Sequence, residues 1–264
     1  MKIEFDVLGA GVVAPGMGDW DELLAVLSGA ELAEQTAIPK STLLSARERR
    51  RAPATVKLSF AAAEQACRMA SISPGDPEAV FSSAMGDVDI TDYMCSTLAE
   101  EPELLSPTRF HNSVHNAASG YWSIGTGATG DVTAVSGWHD SAVAGLGEAL
   151  TRLNTRRQPV LLVVYDDSAT GPLAGIWTPQ HYFASALVLA PAGTGDPALI
   201  RLAAEPQRGQ EAQPSLPGPL IERMADNPAA RMLPLLALVA GHDAAPVVLN
   251  AEQGPGLRFE KLES

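Results

Sequence analysis

The sequence predicts an α/β layered fold, and two patterns support this prediction. Short apolar runs rich in β-branched residues alternate along the chain with longer segments that have helical periodicity. Residues 131–166 read as a strand, a helix and a second strand, which is typical of a right-handed crossover between parallel strands. With 264 residues, 46% hydrophobic and 19% charged, the chain is long enough to bury a sizeable core.

The regular elements are predicted to alternate between residues 3 and 190. Strands are expected at 3–9, 79–84, 131–135, 160–166 and 182–190, and helices at 20–28, 55–71, 114–127 and 139–153. Aromatic residues make up only 5% of the chain, so the core between these elements must consist mostly of Ala, Val and Leu.

The composition changes after residue 191. Residues 192–218 are rich in Pro, Gly, Gln and Glu, which predicts a mobile connection around a strand at 198–203. Helices at 219–225 and 229–240 follow, and then a hairpin-like pair at 246–250 and 257–262. We therefore expect a first domain at 1–191, the connection at 192–218, and a smaller C-terminal portion at 219–264 that packs on the same domain.

Charge and composition exclude several classes of function. The net charge of −13 argues against general binding to nucleic acid or to an anionic membrane, because both carry the same sign. Lys2, Glu4 and Asp6 interrupt any apolar signal-peptide core, and apolar runs such as 160–165 are too short to span a bilayer. The only cysteines, Cys67 and Cys95, predict reduced thiols in a cytoplasmic protein.

The most informative segment is 106–147, which contains a strand, a sharp turn and a helix. The strand 131–135 is followed by a tight turn at Ser136-Gly137 and by a small-residue helix that begins at His139. In α/β proteins this arrangement raises one side chain to the mouth of a site. Here that side chain is His139 or a neighbour, and no cysteine lies nearby in the sequence. The pattern therefore predicts a site without a thiol nucleophile.

This segment resembles the N-terminal half of the β-ketoacyl synthases. The run Val-Ser-Gly-Trp-His followed by Asp-Ser-Ala-Val-Ala-Gly-Leu-Gly-Glu-Ala keeps the spacing of that family around its nucleophilic cysteine. Counting back from Leu146-Gly147-Glu148-Ala149 places His139 where the family has cysteine. Similar segments occur at 5–16, 20–29, 49–70, 80–86 and 183–190, so that the resemblance covers about residues 3–190. It implies a thiolase-like layered fold with a complete N-terminal half and a reduced C-terminal half.

The non-catalytic partners of these synthases, the chain length factors, are more similar still. They also have Val-Ser-Gly before the nucleophile position and place another residue in that position. The run Ser-Pro-Thr-Arg-Phe-His-Asn-Ser-Val-His-Asn, at 106–116, resembles the short synthase-like proteins of aryl polyene clusters. The resemblance therefore implies a subunit that pairs with a cysteine-bearing synthase and shapes its acyl tunnel, and that meets acyl carrier protein directly or only through that partner. No cofactor is implied.

The second half of a condensing enzyme supplies two catalytic histidines, and this chain lacks matching ones. After His181 only His242 remains, and its setting, Ala-Gly-His-Asp-Ala-Ala-Pro, lacks the Thr of the family's Gly-His-Thr motif. Claisen condensation needs a thiolate to carry the acyl group and donors to stabilise the enolate. We therefore expect a subunit without condensing activity. Two alternatives stay open: an acyl transferase or hydrolase that uses His139, and a homodimeric acyl-binding protein.

Three groups of side chains are candidates for the interface or the tunnel. Bulky residues near the predicted tunnel either line it or pack in the core; they are Tyr93, Met94, Phe110, Trp122 and Trp138. A polar segment suits a close-packed interface; it contains His111, Asn112, His115 and Asn116. A basic cluster either docks an acidic carrier protein or a partner subunit, or is the solvated start of a helix. It contains Arg47, Arg49, Arg50 and Arg51.

Three weaker motifs have plainer interpretations. His111 and His115 have the i, i+4 spacing of metal ligands, but no third ligand accompanies them, so no metal site is predicted. The run 9–14 nearly matches a dinucleotide fingerprint, but the following helix starts too late, which favours a tight strand-to-loop turn. Ser136, His139 and Asp140 could form a hydrolytic triad, but adjacent helical residues do not face each other.

Overall fold

An eight-stranded mixed sheet forms the centre of the computed structural model, which describes residues 2–35, 37–169, 171–195, 197–208, 215–242 and 245–262. The strands are β1 Ile3–Val13, β2 Glu78–Ser82, β3 Val132–Val135, β4 Val160–Asp166, β5 Phe183–Pro191, β6 Ile200–Gln207, β7 Val247–Leu249 and β8 Gly256–Lys261. Their order across the sheet is β3-β2-β4-β5-β1-β6-β8-β7. β3, β2 and β4 run parallel, and the other neighbouring pairs are antiparallel.

Nine α-helices are present in the described part of the chain. They are α1 Trp20–Leu27, α2 Ala46–Arg51, α3 Ala54–Met69, α4 Val88–Glu100, α5 Pro107–Asn112, α6 Ala117–Thr126, α7 Ser141–Arg156, α8 Gly218–Met224 and α9 Leu233–Val239. Short 3₁₀ helices occupy 102–104, 138–140, 171–175 and 228–232. None of the helices in these ranges is long and apolar enough to cross a membrane.

Helices cover both faces of the sheet, and β4 shows why the sheet must be buried on both sides. Val160, Leu162 and Val164 pack in the core beneath α1, α7, α8 and α9. The alternate residues Leu161, Val163 and Tyr165 pack in the core beneath α3 and α6. Successive side chains of a strand point to opposite faces, so an apolar residue at every position requires two covering layers. The layered α/β prediction is confirmed.

Most predicted elements are confirmed, including the parallel crossover from β3 through α7 to β4 and the antiparallel pair β7 and β8. The helix predicted at 114–127 is α6, which is shorter at both ends, and a separate helix, α5, precedes it. Ser106 starts α5, because its hydroxyl accepts a hydrogen bond from the Arg109 amide and Pro107 occupies the first turn. α2, α4 and α5 were not predicted. α2 has a capping box formed by Ser45 and Glu48, whereas α4 buries only Val88 and so lacks apolar periodicity.

The strand predicted at 198–203, inside the connection 192–218, is present in shifted form at residues 200–207. These residues form β6, which lies between β1 and β8 in the sheet. Local composition favours a loop here, but the open edge of β1 offers a row of backbone partners, and Leu202 and Ala204 alternate into the core. Residues 209–214 lie outside the described part, and the domain boundaries at 191 and 219 stay a prediction.

The glycines of the run 9–14 have a different role from either interpretation made from the sequence. Gly9 and Gly11 lie inside β1, not in a turn, and the bend follows at 14–17. A side chain on Gly11 would overlap the backbone carbonyl of Ala62 and lie 2.8 Å from the Cβ atom of Gln65. The glycines therefore let α3 pack directly on β1.

Candidate functional site

The turn between β3 and α7, residues 136–140, forms a backbone elbow at the edge of the sheet. Trp138 has a φ of 54°, a left-handed conformation that side-chain-bearing residues rarely adopt and that is typical of functional turns. The Ser141 hydroxyl fixes this turn, because it accepts from the Gly137 amide at 3.0 Å and donates to the Trp138 carbonyl at 2.7 Å. The Ser136 hydroxyl donates to the Ala84 carbonyl at 3.0 Å.

The elbow presents an indole and an imidazole. Trp138 is 44% exposed, and its ring packs edge to face against His139, with a centroid distance of 5.2 Å. Its other contact is the ring of Trp177, at 5.9 Å and an interplanar angle of 65°. His139 lines a polar cavity of about 220 Å³ that is also bordered by Asp226 and Arg231. The residue with positive φ is thus Trp138, one position before the residue that the sequence count assigned to the nucleophile position.

Asp140 ties the elbow to the C-terminal part of the chain. Its carboxylate accepts from the backbone amides of Glu252 at 2.8 Å and Gln253 at 2.9 Å, and from the guanidinium of Arg231 at 3.2 Å. The hydroxyl of Ser136 binds the Ala84 carbonyl. Because these two side chains are engaged elsewhere, the geometry offers no Ser-His-Asp relay.

A buried carboxyl group lies behind the elbow, at the end of β4. Oδ1 of Asp166 accepts from the Ser83 hydroxyl at 2.7 Å and from the Ala84 amide at 2.9 Å. Burial raises the pKa of Asp166 to about 7, although these donors lower it in part. The Nε2 atom of His115 lies 2.9 Å from the Ser83 carbonyl oxygen. Asp166 and His115 therefore hold the loop that in turn accepts the hydrogen bond of Ser136.

Replacing Asp166 by asparagine is expected to stabilise the fold at and above neutral pH. A folded-state pKa of about 7 lies above that of an unfolded carboxyl, so the stability contributed by the protonated acid is complete below about pH 4 and is lost as pH rises through 7. Asparagine resembles the protonated acid and keeps an oxygen for Ser83 and Ala84. Its advantage should therefore grow by about 1.4 kcal/mol per pH unit between about pH 4 and pH 7. Denaturant unfolding at pH 5 and pH 8 measures it.

Asp6 provides a control, because its pKa is shifted in the opposite direction from that of Asp166. Burial raises its pKa, but hydrogen bonds from Arg201 at 2.7 Å and from the Gly193 amide at 2.8 Å outweigh burial and hold the pKa below its usual value. A lowered pKa stabilises the fold above the unfolded value, and this contribution is lost in acid. Asp6→Asn should therefore destabilise the fold at pH 8. Equal signs for the two variants at pH 8 would contradict the assignment of burial to Asp166.

Exposed apolar side chains form a surface that includes Trp138 of the elbow. Among the described residues, most of the large apolar side chains that are exposed lie on α4, α5, α6 and the neighbouring turns. They are Leu98, Leu104, Phe110, Val114, Trp138 and Ile176, together with Ile124, which is 72% exposed. An open groove of about 490 Å³ runs between α2 and α5–α6, next to Val114 and Ile124. β3 is the end strand of the sheet, and its residues are only half-buried. Such a surface is typical of a binding interface.

The comparisons with known proteins identify the family. The family described as "Beta-ketoacyl synthase, N-terminal domain" matches residues 22–234, which is most of the chain. This chain belongs to the β-ketoacyl synthase N-terminal domain family. None of the curated proteins matches it.

Solved structures establish that this synthase-family chain has the thiolase-like layered fold predicted for it. Over 98% of its length it is similar, with a TM-score of 0.71 and 24% identity, to 99% of a chain from the complex of the ketosynthase ApeO with its chain length factor ApeC from Xenorhabdus doucetiae. Over 97% of its length it is similar, with a TM-score of 0.70 and 15% identity, to 98% of a chain of the ishigamide ketosynthase/chain length factor. A β-ketoacyl synthase from Burkholderia phymatum STM815 is similar over 92% of this chain and 72% of its own, with a TM-score of 0.61 and 15% identity.

The bulky residues singled out in the sequence of this family member occupy three settings. Trp138 and Phe110 are exposed on the apolar surface. Tyr93 and Met94 are half-buried on α4, where the Arg109 guanidinium stacks 4.0 Å from the Tyr93 ring centre. Trp122 is fully buried against Phe60 and Phe81. In this chain it packs as a core residue, and its nomination as a tunnel or interface residue stays a prediction.

The polar segment 111–116 is held by specific contacts. Asn112 is buried; its amide donates to the Arg51 carbonyl at 3.0 Å and its oxygen accepts from the Tyr121 hydroxyl at 3.1 Å. His111 packs edge to face on Tyr121, and with Asn116 it lines the groove. No group of three or more metal-ligating side chains exists among the residues that the structure describes.

The basic cluster is larger than the sequence motif suggested. Arg47, Arg49, Arg50 and Arg51 lie on α2, and Lys40 and Lys57 flank the same helix. Arg49 donates to the Ser41 carbonyl at 2.9 Å, and none of the six cations forms an ion pair with a carboxylate in the described ranges. Lys40, Arg49, Arg50 and Lys57 line an open cleft of about 440 Å³. We refer to these six residues as the basic surface.

Three features of the site were missed by the sequence analysis. Asp166 could have been found, because polar residues at the carboxyl end of a buried strand often mark a site. Trp177 stands in a loop rich in Gly and Pro, with no pattern that would connect it to the elbow. The bonds of Asp140 to residues 252–253 join segments more than a hundred residues apart and left no local signal.

Proposed function

We propose that this chain is a non-catalytic subunit of the chain length factor type, which pairs with a cysteine-bearing β-ketoacyl synthase and shapes its acyl tunnel. The observation that carries the proposal is the elbow itself. It has the backbone of a nucleophile turn but presents Trp138 and His139. Acyl transfer in this family proceeds through a thiolate, and an indole cannot replace one.

Neither of the two thiols of the chain can act as the missing nucleophile. Cys67 lies inside α3 in the core, and burial raises its pKa to about 12. Such a thiol is neither ionised nor accessible at neutral pH. Cys95 is exposed on α4, not on the elbow. His139 remains as the only residue for a transferase or hydrolase, and no contact in the described site activates a hydroxyl beside it.

The apolar surface supports pairing with a second subunit. β3 is the end strand of the sheet and contacts α6, and α5 and α6 carry exposed apolar side chains and line the open groove. An obligate interface of this type buries about 2,000 Å² or more in total. The similar chains in the ApeO–ApeC and ishigamide structures come from ketosynthase and chain length factor assemblies, which supports a synthase as the partner. A homodimer of this chain is the competing assembly.

The basic surface supports a meeting with acyl carrier protein. Six cations and one carboxylate, Glu48, lie within residues 40–57 of a chain whose net charge is −13. A local field of opposite sign steers an acidic partner to that side of the molecule and raises its association rate. We propose that an acidic carrier protein approaches the assembled pair here.

The run 106–116 supports a role in aryl polyene or related polyketide synthesis, in the cytoplasm.

Coexpression with a cysteine-bearing β-ketoacyl synthase as the proposed partner should give a one-to-one complex by light scattering. In that complex, acyl groups presented on carrier protein should load the cysteine of the partner and leave this chain unmodified in intact-mass spectra. An acyl adduct on this chain that disappears in His139→Ala would overturn the proposal in favour of a transferase. A stable homodimer or monomer that ignores the synthase would overturn the heterodimer.

A further inference from the structure

We propose that Trp177 is a positioning residue, which fixes the indole of Trp138 at the tunnel mouth and thereby helps to set product length. This inference rests on the proposed function, because it gives Trp138 the role of a tunnel wall. It adds residues 171–178, which no sequence pattern connected to the site. The two indoles pack edge to face with centroids 5.9 Å apart.

The backbone of Trp138 is already fixed, so its ring position depends on the side-chain torsions alone. Its carbonyl accepts from Ser141, and the preceding amide, of Gly137, donates to the same hydroxyl. The side chain is nevertheless 44% exposed, so the elbow alone does not restrict it to one rotamer. A packed neighbour must select the rotamer, and the two rings in contact with Trp138 are those of His139 and Trp177.

Trp177 has the rigidity that such a neighbour requires. It is only 2% exposed, its Nε1 atom donates to the Asp167 carbonyl at 2.7 Å, and its amide donates to the Leu173 carbonyl at 2.8 Å. Its ring packs with Ala84 and Val88 in a small apolar cluster that is separate from the two main cores. A change at Trp177 should therefore alter the elbow without unfolding the sheet.

The position of this cluster links it to the rest of the site. Ala84 follows β2 and also accepts the hydrogen bond of Ser136, and Val88 begins α4. Ile176, next in the chain to Trp177, is 71% exposed beside the elbow. Directly after the 3₁₀ turn at 171–175, Ile176 is thus exposed and Trp177 packs against Trp138.

Trp177→Leu should shift the product of the coexpressed pair in the same direction as Trp138→Ala. An edge-to-face aromatic pair is strong enough to change the ratio of product lengths by roughly two- to tenfold. The double variant should give the distribution of Trp138→Ala alone, because Trp177 acts only through Trp138. Trp177→Phe keeps an aromatic edge and should restore part of the native distribution.

Trp122→Phe is the matched control, since Trp122 is a buried tryptophan of the main core with no contact to Trp138. It should leave product length unchanged. Circular dichroism of the complex gives a readout that does not depend on activity. Two close, non-parallel indoles couple excitonically and give a pair of circular dichroism bands of opposite sign, called a couplet. The couplet should vanish in Trp177→Leu and Trp138→Ala but persist in Trp122→Phe.

The outcomes separate this inference from the proposed function. If Trp138→Ala changes product length but Trp177→Leu does not, or if the two effects add, Trp177 does not position Trp138 and the proposed function still stands. If Trp138→Ala leaves product length unchanged, the tunnel role of Trp138 fails and the inference fails with it. Loss of the couplet in Trp122→Phe would overturn the assumed ring pair.

Discussion

Ile124→Asp is expected to break the proposed complex with a partner synthase. Ile124 is 72% exposed on α6 and borders the groove between α2 and α5–α6. A carboxylate buried there on assembly would lose its hydration, which is costly when no cation pairs with it. Among the described residues that line the groove, Arg51 lies on the opposite wall. We expect the Kd to rise at least about 30-fold, which corresponds to about 2 kcal/mol. Titration calorimetry or surface plasmon resonance with the purified synthase measures it.

Ile221→Asp is the matched control for this substitution. Ile221 is also an exposed isoleucine, 47% accessible, but it lies on α8, which packs on the opposite face of the sheet. The same chemical change there should leave both the fold and the Kd unaltered. Equal binding by the two variants would remove α6 from the interface, and equal weakening would point to loss of solubility or folding instead of a lost contact.

The sequence was sufficient for the parts of the fold that have a local cause. Apolar periodicity indicated β4, α3 and α7, and the strand–turn–helix pattern placed the elbow correctly. β6 was predicted only as a shorter strand within a connection, because its pairing partners β1 and β8 lie far away in the chain. The pair of Asp6 and Arg201, at 2.7 Å, likewise joins residues that no local pattern relates.

The candidate site was predicted in outline but not in detail. The absence of a thiol at the elbow could be read directly from residues 136–140. The left-handed backbone of Trp138 and its contact with Trp177 could not be predicted from the sequence. Both depend on how α4, the 171–175 turn and the elbow pack together. The sequence also cannot distinguish Trp122 from Trp138. Both follow apolar or small residues, and only the packing places one in the core and the other at the surface.

The close contact between β1 and α3 leads to the second large effect, a loss of stability in Gly11→Ala. Gly11 has an ordinary extended backbone, so alanine would be tolerated there on conformational grounds alone. Its Cβ atom, however, would overlap the carbonyl oxygen of Ala62 and come within 2.8 Å of the Gln65 Cβ atom. Relief requires α3 to move away from the sheet, and α3 carries much of one core.

We expect Gly11→Ala to cost about 3 kcal/mol or more, and to lower the Tm by roughly 6–12 °C. Gly147→Ala is the control, because Gly147 lies on α7 with open space where its Cβ atom would be. That substitution should be neutral or stabilise the helix by up to about 1 kcal/mol. Thermal unfolding of the two variants beside the native chain measures both effects. If Gly11→Ala unfolds at the native temperature, α3 does not pack against β1 as closely as the structure places it, and the explanation for both glycines of the run 9–14 fails.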